Sequence, residues 1–222
     1  KRGRIFTKII REITIAARLG GGDPEMNPRL RSAIAKAKEA NMPNDNIEKA
    51  IKRGTGELEG VNYEEKTYEG YGPEGVALII DTLTDNTNRT TAEIRKILSR
   101  ANGNLGEHGC VSYMFETKGV IYIPKEKYNE DEIFEIALEA GAEDVEYSDI
   151  HHIIYSSMED FINVRDNLEK KDIEIESSGL ERIAQTKIPL SEEKAEKVIN
   201  LIETLEESDD VQAVYSNVEI SE

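Results

Sequence analysis

The chain holds one cysteine and three histidines in 222 residues. The lone thiol, Cys110, excludes an intramolecular disulfide framework and fits a reducing compartment. No second cysteine stands near it to make a zinc pair. His108 falls in a loop, and His151-His152 are neighbours on a strand, where adjacent side chains point to opposite faces and do not converge on a metal. No apolar run approaches the ~20 residues of a membrane helix. No secretory signal is visible, but the chain opens on Lys1 rather than Met, so an N-terminal segment with any targeting signal is expected to precede it.

Catalytic signatures are equally scarce. There is no nucleophile elbow and no H-E-x-x-H. Gly70-Tyr71-Gly72-Pro73-Glu74-Gly75 spells G-x-G-x-x-G, but a strand rather than a helix follows it and Glu74 would repel phosphate. A hairpin turn explains these glycines better than a dinucleotide site. The glycine-rich stretch 103–109 lacks the G-K-[ST] ending of a phosphate loop. Asp85, Asn86, Asn88 and Arg89 precede a helix whose free N–H groups would suit an anion, and capping by Asn88 is the preferred reading. The expectation is a protein that is not an enzyme and carries no cofactor or metal.

What is present is a segregation of charge. Residues 1–53 hold 13 Lys and Arg against 6 Asp and Glu, a balance of +7 in a chain of net −17. Residues 119–183 carry 6 basic and 18 acidic side chains, and 184–222 carry 3 and 10. One basic module on an acidic protein points to a polyanion, because phosphate attraction is local while bulk acidity discourages non-specific contact.

That module reads as three helices. Over 4–19, Ile5, Phe6, Ile9, Ile10, Ile13, Ala16 and Ala17 make an apolar stripe, while Arg4, Lys8, Arg11 and Arg18 gather in an arc of about 80° on the other side. Asn27-Pro28 opens a second helix through about Ala40, with Arg29, Arg31, Lys36 and Lys38 left for solvent. A third starts near Asn44 or Asp45, with a capping box from Asp45 to Glu48, and carries Lys49, Lys52 and Arg53 to Gly54. For any single lysine a solvated helix face is the commoner outcome. The ordered arc on the first helix favours phosphate contact, whereas no helix shows the Asn, Gln and Arg cluster that reads base edges.

Two α+β units follow a connector over 54–65. Strands are predicted over Tyr68–Tyr71 and Val76–Asp81, a helix over Thr90–Ala101, and a strand through Val111, Tyr113 and Phe115. From Gly119 comes strand (Val120–Ile123), helix (Asp131–Ala140), strand near Val145, strand (His151–Tyr155), helix (Glu159–Lys170) and strand (Ile173–Ile183), the ferredoxin-like β-α-β-β-α-β order. A strand (Thr186–Pro189), a helix (Glu192–Glu207) and a strand (Val211–Val218) then complete the order begun at Val76. The fold class is therefore α+β in three domains: a basic helical bundle over 1–60, a discontinuous unit over 61–118 and 184–222, and an acidic ferredoxin-like unit over 119–183 inserted within it.

Phe6-Thr7-Lys8 with Ile10-Arg11-Glu12-Ile13, Asn27-Pro28-Arg29-Leu30-Arg31 and Asn41-Met42-Pro43 resemble the basic helical domain of the YebC/PmpR family. Tyr68 to Pro73, Thr84-Asp85-Asn86 with Asn88-Arg89-Thr90, and Gly103-Asn104-Leu105-Gly106 with Gly109 and Val111 match its second domain. Ala140-Gly141-Ala142-Glu143-Asp144 and Asp209-Asp210-Val211-Gln212 match further on. The resemblance implies three domains with a discontinuous second one. It also implies either a DNA-binding transcriptional regulator of the bacterial cytoplasm or a ribosome-linked translation factor, as in the mitochondrial activator of cytochrome oxidase subunit translation. The family begins with a short Lys-rich segment containing Gly-His-Ser, which this chain lacks.

The function expected is a non-enzymatic factor that grips nucleic-acid backbone through Arg4, Lys8, Arg11, Arg18, Arg29, Arg31, Lys49, Lys52, Arg53 and Arg89. Ribosomal RNA is preferred slightly over promoter DNA, and the location is cytoplasmic, or mitochondrial in an organellar relative. The alternatives are a DNA-binding transcription regulator and a protein-interaction module whose acidic units recruit basic partners such as ribosomal proteins. No membrane partner is expected, and oligomeric state stays open. Replacing Lys8, Arg11 and Arg18 by Glu is expected to abolish nucleic-acid or ribosome association, in a co-sedimentation assay whose wild-type signal falls steeply with salt.

Overall fold

A computed structural model describes residues 2–221, and of Arg2 the backbone alone. The chain opens on three helices, α1 (Arg2–Gly20), α2 (Pro28–Glu39) and α3 (Asn44–Thr55). Ile13, Ala16 and Ala17 of α1 bury against Leu30 and Ala33 of α2 and Ile47 and Ala50 of α3, the faces set by the helical spacing of the apolar residues. Buried Asn27 joins two of these helices. Its Oδ1 accepts from the Leu30 N–H at 3.1 Å to cap α2, and its Nδ2 donates to the carbonyls of Ala16 and Gly21, each at 2.8 Å. The capping box expected at Asp45 does not form. Pro43 occupies the cap position, its carbonyl accepts from Asn46 and Ile47, and Asp45 already lies in the first turn.

The α+β part continues with β1 (Glu64–Tyr71), β2 (Ala77–Thr84), α4 (Thr87–Arg100) and β3 (Asn104–Leu105). The chain then enters β4 (Phe115–Pro124), α5 (Glu130–Ala140), β5 (Asp144–Tyr147), β6 (His151–Ser157), α6 (Phe161–Lys170) and β7 (Ser177–Ala184). It closes with β8 (Ile188–Ser191), α7 (Glu192–Glu206), β9 (Val211–Ser216) and β10 (Val218–Ser221). Two compact units result: residues up to Met114 with those from Ala184 onward, and Phe115–Ile183 inserted between them.

In the inserted unit the sheet order is β5-β6-β4-β7. That is the ferredoxin-like arrangement, with α5 and α6 packing Ile133, Ala137, Val164 and Leu168 onto Ile121, Ile123 and Ile154. Ile173 and Ile175, expected in the last strand, precede β7 and pack on this core as part of the loop. His152 faces the core and hydrogen-bonds the Tyr128 carbonyl at 2.8 Å, while His151 sits across the strand against Glu176.

The other unit reaches the same spatial order by a different route. Its main sheet runs β3-β1-β2-β9, all neighbours antiparallel, so β1 fills the place that the third strand of a ferredoxin-like motif would occupy. The strand expected after the insertion, β8, pairs instead with β10 in parallel. The last predicted strand is split by Asn217, which turns inward to accept from the Ala77 N–H at 2.8 Å through its side chain and from the Ile188 N–H at 2.7 Å through its carbonyl.

Residues 111–115 do not form the predicted strand of this unit. Ser112–Met114 is a 3-10 turn, and Phe115 begins β4. The cause is Glu69, whose buried carboxylate accepts from the N–H groups of Gly109, Val111 and Ser112 at 2.6, 3.1 and 2.6 Å. Burial alone would push this carboxyl upward, but the three N–H donors outweigh it and hold its pKa below the usual range. The glycines that imitated a nucleotide motif serve a close backbone approach: a Cβ on Gly70 would lie 2.6 Å from the Asn104 carbonyl oxygen, and one on Gly103 would lie 2.2 Å from that of Tyr71.

The same steric logic governs the helices. A Cβ on Gly54 of α3 would lie 2.3 Å from the Thr14 carbonyl oxygen on α1. Gly54→Ala gains about 1 kcal/mol of helix propensity, but the overlap is with backbone that cannot rotate away. A net loss of roughly 1–3 kcal/mol is expected, read as a lower urea midpoint by far-UV circular dichroism. A raised midpoint would show that α1 and α3 separate freely.

Candidate nucleic-acid interface

The basic arc of α1 divides along its length. Arg11 donates through Nη1 to Asp210 Oδ1 at 2.7 Å and to the Leu83 carbonyl at 2.9 Å, with its side chain only 11% exposed. Its guanidinium also lies 5.0 Å from the centroid of the Tyr63 ring. Lys8 donates to the carbonyl of Glu206, where the end of α7 concentrates negative partial charge. Burial pushes the Lys8 ammonium pKa down, although the coulombic attraction of Glu206 opposes the shift. Gln212 secures the same turn by donating to the Lys8 carbonyl at 3.0 Å. Arg4 is half-buried and lines an open cleft with Asp85, Glu93 and Asp209.

Asp210 is the hub of this contact. Its buried carboxylate accepts from Arg11, from Arg89 Nη2 and Nε at 2.8 and 3.2 Å, and from Thr90 Oγ1 at 2.8 Å. Its carbonyl accepts from the Leu83 N–H at 2.9 Å. Burial by itself would push the carboxyl up, but hydrogen bonds from Arg89, Arg11 and Thr90 prevail and hold its pKa below the ordinary aspartate value. Arg89 also donates to Asp85 at 2.7 Å, so two arginines and two aspartates balance. The cap of α4 is Asn86, whose Oδ1 accepts from the Arg89 N–H at 3.1 Å. Asn88, expected to do this, lies inside the first turn.

The remaining basic residues fall into two groups. Arg29 is held by Glu12 at 2.8 Å and also donates to Glu65, and Arg31 donates to the Pro24 carbonyl at 3.0 Å. Arg18, Lys49, Lys52 and Arg53 are exposed. On α3 the spacing of Lys49, Lys52 and Arg53 sets them within an arc of about 100°, opposite the buried Ile47 and Ala50. Gly54 brings the end of this helix beside α1, where its Cβ would lie 3.2 Å from the Arg18 nitrogen. The exposed cations therefore gather on the outer face of α3 and the end of α1, with Lys36 and Lys38 of α2 exposed as well.

Sequence reasoning missed the receptors Asp210 and Glu69, and singled out Asp85 with Arg89 without foreseeing that the two pair. The one signal available was the run Asp209-Asp210-Val211-Gln212, in which the second and fourth residues both contact α1.

Asp210→Asn leaves Arg11 buried without its counter-charge, and a loss of about 3–5 kcal/mol is expected near pH 7. Because the folded carboxyl pKa lies below the unfolded value of about 3.9, this stabilisation is complete above that value and is lost as pH falls through the lower folded one. Urea titrations of wild type and variant should differ at neutral pH and converge in acid. A gap that persists below both values would point to packing rather than charge.

Comparison with known proteins places the whole chain. Residues 1–57 match the family model described as the TACO1/YebC protein N-terminal domain, and residues 63–218 match the TACO1/YebC second and third domain. A "probable transcriptional regulatory protein" of Persephonella marina is 61% identical over 100% of this chain and 90% of the relative. One from a Sulfurihydrogenibium species, with the same description, is 60% identical over 100% of this chain and 89% of the relative. The crystal structure of a conserved hypothetical protein from Aquifex aeolicus is similar at a TM-score of 0.93 and 52% identity, covering 100% of this chain and 91% of that one. The chain belongs to the TACO1/YebC family.

Proposed function

We propose that this protein is a non-enzymatic, cytoplasmic regulator of gene expression that holds nucleic-acid backbone with the outer face of α3 and the end of α1. The observation that carries this reading is the exposed group Arg18, Lys49, Lys52 and Arg53 on a chain of net −17. A cationic face on an acidic protein confines polyanion contact to that face. Arg29, Arg31 and Arg89, held by Glu12, the Pro24 carbonyl and the Asp85–Asp210 pair, fix the fold around it, and Arg4 lines an acidic cleft.

Structured RNA of the ribosome is favoured over promoter DNA. The outward arc of α3 offers Lys and Arg for phosphate but none of the Asn or Gln expected to read a major groove. The names of the relatives, "probable transcriptional regulatory protein", favour the second reading, a DNA-bound regulator. Crosslinking in cells followed by sequencing of RNA and DNA separates the two, since ribosomal RNA peaks support the first and promoter peaks the second.

The face itself is tested by charge reversal. Lys49→Glu, Lys52→Glu and Arg53→Glu together are expected to weaken binding at least about tenfold. They should also reduce the slope of log affinity against log salt by roughly 2–3, since each lost phosphate contact removes about 0.7–0.9. Lys8→Glu and Arg11→Glu should instead lower thermal stability. Unchanged affinity in the α3 variant would remove α3 from the interface.

A further inference from the structure

The inserted unit carries a surface that the nucleic-acid reading does not use. On α5, Ile133, Ala137 and Ala140 are buried in the core, whereas Phe134 and Leu138 are 44% and 48% exposed. At about 100° per residue these two lie within an arc of about 40°, with Asp131 and Glu135 continuing the same outward face. Tyr147 of β5 is partly exposed and reaches the start of that helix, its hydroxyl donating to the Glu130 carbonyl at 3.4 Å. β5 is the outermost strand of the sheet, and exposed Ile150 stands in the turn that follows it. An exposed apolar pair one helical turn apart, beside a sheet edge and bordered by carboxylates, is the form of a protein-docking face.

We infer that the α5–β5 face binds a lysine- and arginine-rich protein segment that carries apolar anchors. The anchors cover Phe134, Leu138 and Tyr147, and the cations meet Asp131 and Glu135. Charge complementarity selects this occupant: residues 119–183 hold 18 acidic and only 6 basic side chains. The same excess repels a phosphate backbone, and it repels a second copy of the unit. The apolar pair then supplies what a diffuse acidic surface lacks, a fixed location.

The test uses the full chain and two synthetic peptides: a lysine-rich dodecapeptide with two leucine anchors, and the same peptide with serine at both anchors. Isothermal titration should show the leucine peptide binding about tenfold more tightly, the scale of one partly buried apolar contact on each side. In Phe134→Ser/Leu138→Ser, whose changes lie at exposed positions, that preference should vanish. In Asp131→Lys/Glu135→Lys both peptides should weaken. Charge reversal on α3 should leave peptide binding intact, so failure of one proposal is distinguishable from failure of the other. Equal binding of the two peptides to wild type, or an unchanged preference in the serine variant, overturns the inference. So does sedimentation that shows a dimer converted to monomer by the serine variant, because the occupant is then a second copy.

Discussion

The chain places a full negative charge on Asp210, in the interior where β9 begins, and the surrounding architecture follows from satisfying it. A buried carboxylate without partners costs several kcal/mol, so its neighbours must deliver cations and donors to one point. They come from separate stretches of sequence: Arg11 from α1, and Arg89 with Thr90 from the start of α4. Leu83 at the end of β2 adds a backbone bond to the same residue. The helical segment is thereby tied to the α+β part at a single geometry. A hydrophobic patch of equal area would hold the two together but would permit sliding. Arg11 Nη1, donating to both Asp210 and the Leu83 carbonyl, does not.

Glu69 applies the same physics to a loop. Its carboxylate collects three backbone N–H groups from Gly109, Val111 and Ser112 that a strand would have donated to a neighbouring strand. Once those donors are taken, a strand at 111–115 has no ladder to join, and Val111 is buried as a loop residue. The two acids act alike, each at 3% exposure and each with its pKa lowered by donors that overcome burial. A chain whose acidic residues outnumber its basic ones, 45 to 28, thus uses a few of its carboxylates as internal organisers and leaves the others to solvent.

This division explains what was legible before the fold was known. The helices over Arg2–Gly20, Pro28–Glu39 and Glu192–Glu206 and the β-α-β-β-α-β order of the insertion followed from apolar period, a local property that each segment carries by itself. The β1–β2 hairpin was legible, but the pairing of β1 with β3 and of β8 with β10 was not, because each joins segments that no single apolar period connects, such as Gly70 with Leu105 and Ile188 with Val218. The candidate site divides in the same way. Arg4, Lys8, Arg11 and Arg18 share one arc of α1, and periodicity treats them as equivalent. Lys8 and Arg11 meet the end of α7 and Asp210, whereas Arg18, two turns beyond Arg11, is exposed. Only the identity of the opposing surface separates an anchoring cation from a free one.

Charge segregation therefore acts at two scales. Within the first unit, Arg11 is matched by Asp210 and Arg29 by Glu12 and Glu65, so part of the +7 over residues 1–53 is balanced internally rather than presented to solvent. Among the described residues of the helical segment, the exposed cations are those of α3, the end of α1 and the last turn of α2, a smaller set than composition suggests but an ordered one. An ordered set has the greater effect on a polyanion, because helical spacing fixes the distances between charges, and the acidity of the rest of the chain suppresses competing approaches. The inserted unit carries the opposite balance, 18 acidic against 6 basic side chains over residues 119–183, with Phe134 and Leu138 exposed on its α5. Position on the helices, not net charge of a unit, is therefore what separates a cation that anchors the fold from one that faces outward.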